Sequence, residues 1–130
     1  MSKATSKSID TSVQKNRIIG NLNGSSEGPT LIFIAGIHGN EPAGIFALRE
    51  VIRNLEFQKN SFKGSLYAIS GNLPALDKGL RYNKHDLNRL WTEENIEKIE
   101  QNDNKDLAID LLQLKEIYNH FKNILEKEKG

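Results

Sequence analysis

Residues 31–36, Leu-Ile-Phe-Ile-Ala-Gly, form an unbroken apolar run without polar alternation. A run this short, rich in β-branched and aromatic residues, reads as a strand covered on both faces, as in a parallel or mixed sheet. The chain then turns through Ile-His-Gly-Asn-Glu-Pro-Ala-Gly at 37–44. Beyond the turn, Ile45, Leu48, Val51, Ile52 and Leu55 recur at spacings of three and four, one apolar helix face. Pro42 suits the first helical position, where its missing N–H costs nothing. Residues 64–70 (GSLYAIS) read as the next strand. Strand, helix and strand in this order predict a βαβ crossover. The expected class is α/β, with a mixed or parallel sheet and flanking helices.

Around this unit the chain divides into two parts. Residues 1–16 are rich in Ser, Thr and Lys and read as a flexible N-terminal arm, leaving 17–130 as the folded part. Arg17 to Asn21 suits a short edge strand, and Asn23 to Pro29 has turn chemistry. From Gly71 to Trp91 the pattern is irregular and polar; a loop of that length is uncommon in a compact domain, and such loops are often functional. Leu107, Leu111, Leu114, Tyr118, Phe121 and Leu125 then mark an amphipathic helix starting near Asn104. With few heptads, this stripe is expected to pack on the sheet rather than in a coiled coil.

The composition excludes several functions. Eighteen Lys and Arg against 17 Asp and Glu leave a net charge of +1, with no chain-wide attraction to nucleic acid or membranes. No cysteine is present, so there is neither a disulfide framework nor a thiolate metal site, and any metal must be held by His and carboxylate. No apolar stretch approaches the ~20 residues of a membrane span, and the polar N-terminus lacks a signal-peptide core. A cytoplasmic location is the expectation, and the oligomeric state is left open.

A strand followed by a glycine-containing turn and a helix invites a phosphate-binding reading, but the residues oppose it. The helix opens with Glu41-Pro42-Ala43 instead of Gly-Lys-Ser/Thr, and Gly36, Gly39 and Gly44 do not have dinucleotide-fingerprint spacing. His38 and Glu41 are instead donors that Zn²⁺ accepts, at the strand end where α/β sheets place their crevices. Gly39 between them is expected to let the backbone turn sharply. Alternatively, His38 is a hydrogen-bonded turn residue and Glu41 a favourable charge at a helix N-terminus. A second segment, RYNKHDLNR at 81–89, gathers Arg81, Asn88 and Arg89. Arginine suits two-pronged carboxylate recognition. The alternative is a solvated polar loop, but Leu87, Leu90 and Trp91 would anchor the segment in a fixed position.

The pieces GIHGNEPAG (36–44), GNLPAL (71–76) and RYNKHDLNRLW (81–91), in this order and separation, resemble the succinylglutamate desuccinylase/aspartoacylase family of zinc carboxypeptidase-like hydrolases. The resemblance covers roughly residues 17–91. It implies that His38 and Glu41 are the first two zinc ligands and that Arg81 polarises the scissile carbonyl. It also implies that Asn88 and Arg89 hold the free carboxylate of an N-acyl amino acid, with Asp86 bracing the loop. The family's third ligand, a histidine after a later strand, and its general-base glutamate are expected beyond Gly130. His85 and His120 are not expected to replace them. On this reading the chain is the N-terminal part of a three-layer deacylase domain, an incomplete fragment that is inactive alone. The alternative is a non-catalytic module that binds carboxylates or a partner.

Overall fold

The computed structural model describes residues 9–101 and 107–129. Its sheet has three strands in the order β1-β3-β2, with β1 at Ile18–Asn23, β2 at Ser26–Ala35 and β3 at Lys63–Ser70. β2 and β3 are parallel, pairing Leu31 with Leu66 and Ala35 with Ser70, while β1 is antiparallel to β3. Helix α1, Ala43–Glu56, joins β2 to β3. The expected βαβ unit and mixed sheet are therefore present.

The strand covered on both faces is β3, not β2 as expected. Every residue of β3 after Lys63 is buried, because it has a strand on each side and a helix over each face. α1 lays Leu48, Ile52 and Leu55 on Leu22, Leu66 and Ala68, over β1 and β3. Leu31 and Phe33 share that face but lie on edge strand β2, and they remain 44% and 43% exposed. Ile32 and Ile34 point to the other face and pack with Tyr67, Ile69 and Ile124. β2 also starts at Ser26, inside the expected turn. A register shift between Ser26 and Thr30 accommodates Pro29, which cannot donate to the ladder.

The stretch from 71 to 91 contains more regular structure than its composition suggests. Helix α2, Leu73–Lys78, is capped by Asn72, whose side chain accepts from the Ala75 N–H, and ends at Gly79 with φ of 69°. Asn, Pro and Gly sit where a short helix needs them. A further unexpected helix, α3 at Glu93–Gln101, follows Thr92, whose hydroxyl accepts from the Asn95 N–H. Glu93 and Glu94 lie at its positive end.

Helix α4 spans Ile109–Lys129, and the expected start near Asn104 lies outside the described residues. It packs on the sheet through the expected Leu111, Leu114 and Tyr118 in its first half, with Leu107 just before it, but not through Phe121 and Leu125 in its second. Leu111, Leu114, Ile117 and Ile124 are buried, whereas Phe121 and Leu125 are 38% and 50% exposed. Two apolar stripes share Leu111 and Leu114 and part after them by one position. Leu87 and Ile99 gather around the first half of α4, and Tyr67 and Ile69 around Ile124. The surface beneath the helix thus selects the stripe.

Two arginines tie residues 10–17 to the rest of the fold. Buried Arg17 donates to the carbonyls of Ser70 and Gly71 and to the side chains of Gln113 and Glu116, joining β1, β3 and α4. Arg49 donates to the Asp10 and Ser12 carbonyls and to Gln14 Oε1, each at 2.9 Å. The described part of the arm, 9–16, therefore has no helix or strand but lies against α1. Ile124→Ala should cost ~2–5 kcal/mol, whereas Leu125→Ala should stay within ~0.5 kcal/mol; urea unfolding of the two variants distinguishes the two stripes.

Candidate functional site

The parallel strands β2 and β3 end side by side. The Gly71 N–H donates to Ala35 O at 2.7 Å and the Asn72 N–H to Gly36 O at 2.8 Å. The crevice outside these carboxyl ends is where open α/β sheets place their ligands. Gly36 makes the turn out of β2 with φ of 79°, a left-handed conformation suited to glycine. Gly39, expected to supply that freedom, does not have a positive φ and is needed for a different reason. A Cβ there would lie 2.1 Å from the backbone carbon of Ala75 and 2.3 Å from the Leu80 carbonyl oxygen. Its N–H donates to Arg81 O at 3.2 Å, so the two motif segments meet backbone to backbone.

His38 lies where those segments join. Its Nε2 is 2.9 Å from Asp86 Oδ1, and its Nδ1 is 3.5 Å from Glu41 Oε2. His38 and Asp86 side chains are 14% and 16% exposed, whereas Glu41 is 64% exposed. Asp86 also accepts from the Asn88 N–H at 3.0 Å, and its Oδ2 is 3.6 Å from an Arg81 guanidinium nitrogen. Burial alone would raise the Asp86 pKa. The hydrogen bonds from His38 and the Asn88 N–H, with the charges of His38 and Arg81, outweigh burial and lower it. An ionised carboxylate only accepts, so Nε2 must carry the hydrogen it donates.

The other ring nitrogen, Nδ1, then faces a carboxylate oxygen. Two acceptors placed this way can share a cation between them. One ion bonded to both at ~2.0–2.2 Å with a tetrahedral angle requires donors roughly 3.4 Å apart, close to the observed spacing. His38 and Glu41 thus suit zinc as a two-donor set. No group of three or more His, Cys, Asp or Glu side chains suited to a metal forms among the described residues, and neither His85 nor His120 joins the pair.

The structure brings Arg81 to the same place through Asp86, with its guanidinium half exposed. Asn88 and Arg89 lie on the 3₁₀ turn Leu87–Arg89, which Asp86 caps and buried Leu87 anchors. Both are solvent-exposed. Among the described residues, neither side chain hydrogen-bonds to His38 or Glu41.

The sequence reading missed three residues that hold this loop. Asp110 on α4 is 0% exposed, and its Oδ1 accepts from Asn72 Nδ2 at 2.8 Å, the Asn83 N–H at 3.1 Å and Asn83 Nδ2 at 3.0 Å. Its Oδ2 accepts from the N–H groups of Lys84 at 2.7 Å and His85 at 2.8 Å. Burial on its own pushes this carboxyl up, but the hydrogen bonds from His85, Lys84, Asn72 and Asn83 bring it down to about 2. The available signal was a charged residue interrupting the apolar stripe of α4; beside a helix start, it reads only as a dipole partner.

The fold is shared with a solved enzyme structure. The succinylglutamate desuccinylase of Chromobacterium violaceum superposes with a TM-score of 0.56 at 24% identity, over 75% of this chain and 28% of that one. The chain belongs to the succinylglutamate desuccinylase/aspartoacylase catalytic domain family, which its residues 27–126 match. Among curated relatives, the succinylglutamate desuccinylase of Photorhabdus laumondii is 40% identical over 62 residues. That of Yersinia pseudotuberculosis is 37% identical over 62 residues. Each match spans 48% of this chain and 19% of the relative.

Gly39→Ala should destabilise the fold by ~1–3 kcal/mol or more through overpacking against backbone. Gly44→Ala, whose new Cβ would meet only the Ala35 side chain at 3.2 Å, should stay within ~1 kcal/mol of wild type. Chemical denaturation checks both. Because the folded Asp110 carboxyl titrates near 2 rather than 3.8, its stabilisation is full above about pH 4 and is lost as the pH falls toward 2. The stability gap between wild type and Asp110→Asn should therefore narrow by the order of 2 kcal/mol over that interval, as measured by urea unfolding at each pH.

Proposed function

We propose that this chain carries half of the active site of a zinc-dependent deacylase that hydrolyses the amide bond of an N-acyl amino acid. The observation that carries the reading is the continuous line Glu41–His38–Asp86–Arg81. It joins two sequence-distant segments at the carboxyl ends of two parallel strands. The names of the relatives point to N-succinylglutamate as the substrate to try first.

His38 Nδ1 and Glu41 would hold the ion, and Asp86 would fix the imidazole ring and its tautomer from the opposite nitrogen. When bound, zinc supplies Lewis acidity that activates water and polarises a carbonyl near neutral pH. Arg81, half exposed beside Asp86, would stabilise negative charge developing on the scissile carbonyl oxygen. Loss of one such donor typically costs ~10²–10³ in rate. Asn88 and Arg89 would hold the substrate's free carboxylate and so orient the amide for attack. By the family resemblance, a further histidine would complete the zinc site and a glutamate would act as general base.

Zinc added to the 130-residue chain should bind weakly and shift the His38 ring resonances. His38→Ala and Glu41→Ala should each abolish binding, and Asp86→Asn should weaken it by about 10- to 100-fold. N-succinyl-L-glutamate should perturb the amides of Arg81, Asn88 and Arg89, and Arg89→Ala should suppress this. Zinc that leaves His38 unmoved would overturn the metal assignment. With dicarboxylate binding intact, that result would instead favour a carboxylate-binding module.

A further inference from the structure

We propose that Asp110, on a helix outside the candidate site, is a positioning residue. Its carboxylate sets the shape of the loop that brings Arg81 and Asp86 to His38. The inference rests on the reading of that loop as the substrate-binding segment.

Three consecutive backbone N–H groups, those of Asn83, Lys84 and His85, converge on this one carboxylate. Successive N–H groups that point inward form a concave nest that favours an anion. Here the anion is supplied by the protein from a remote element. The two amide side chains of Asn72 and Asn83 complete a set in which every partner is a donor. Asp110 has no ion pair among the described residues, so N–H dipoles rather than an opposing charge stabilise it.

Such a set requires a group that only accepts and that offers about four lone-pair sites, which describes a carboxylate. An asparagine at position 110 would turn its NH₂ toward N–H groups and leave buried donors unpaired. The loop's functional groups flank the nest, with Arg81 two residues before Asn83 and Asp86 directly after His85. Any loss of curvature at 83–85 therefore moves both groups relative to His38. On the other side of the nest, Asn72 caps α2, against which Gly39 packs. Asp110 thus braces both segments that converge on His38, and the docking of α4 is what delivers it.

The test is Asp110→Asn in the full 130-residue chain, followed by amide hydrogen exchange and the ¹⁵N spectrum of the His38 ring. In wild type, the amides of Asn83, Lys84 and His85 should be protected although they lie outside helices and strands. The His38 ring should show the Nε2–H tautomer. In Asp110→Asn, protection at the three amides should fall at least tenfold, the His38 tautomer pattern should change, and the amides of Leu66 to Ile69 in β3 should keep their protection. A merely structural residue would leave the His38 ring signature unchanged, and that result would overturn the proposal. Wild-type amides at 83–85 that exchange like those of a free loop would also overturn it. If Asp110→Asn does not fold, Asn83→Ala removes one donor, leaves α4 untouched and is judged by the same His38 signature. Titration with N-succinyl-L-glutamate separates the two readings. An affinity at least tenfold weaker in the variant supports positioning for binding, and equal affinity overturns it. A wild-type chain that does not bind the probe removes the substrate reading, and the His38 signature then decides the role of Asp110.

Discussion

The carboxyl ends of β2 and β3 lie side by side because two parallel strands share a register, and every other feature of the site depends on that alignment. Register in a sheet buried on both sides is strongly specified, since a slip of one residue would exchange the faces of Leu66, Tyr67, Ala68 and Ile69. With the strands held so, the chain leaving β2 and the chain leaving β3 must turn at the same level. The hydrogen bonds from Gly71 to Ala35 and from Asn72 to Gly36 continue the ladder past the last paired residues. His38 on one exit and α2 on the other are thereby brought together before any side-chain chemistry acts.

Side-chain carboxylates then do what the sheet cannot, which is to give shape to irregular backbone. Asp86 caps the 3₁₀ turn and orients His38, while Asp110 collects the N–H groups of the preceding residues. Both work because an ionised carboxylate accepts several hydrogen bonds at once, and both are held below the ordinary acid range by those bonds despite the opposing effect of burial. Backbone polar groups in a loop must find partners somewhere. Supplying them from side chains keeps an exposed loop in one conformation.

The two faces of the sheet are finished differently. α4 covers the face of Tyr67 and Ile69, and its first turn carries Asp110 to the backbone of residues 83–85, so packing and loop support share one helix. α1 covers β1 and β3 but leaves Leu31 and Phe33 half exposed on the edge strand. Among the described residues that edge has no strand beside it, and natural sheets usually cover or blunt such an edge.

The βαβ order, the mixed sheet and the pairing of His38 with Glu41 could be read from sequence, because each depends on neighbours within a few residues. Apolar runs, Pro42 at a helix start and an HxxE spacing are local facts. The capping residues of α2 and α3 were equally local and equally present, yet Asn72, Pro74, Gly79 and Thr92 were obscured by the polar composition around them. Other features depended on what lies across the fold. Leu31 and Phe33 look like core residues until their strand is found at an edge. Gly39 looks like a flexible turn residue until the backbone of Ala75 is found against it. The stripe through Phe121 and Leu125 is as regular as the one through Ile117 and Ile124, and only the surface beneath α4 chooses between them. Asp110 is farthest from sequence logic, since its partners lie 25 to 38 positions away. Sequence determined which elements form and which chemistry they carry, because propensity and periodicity act over one or two turns. Tertiary structure decided which faces are buried and which carboxylates shape the site, because burial and hydrogen-bond satisfaction are settled only when distant segments meet.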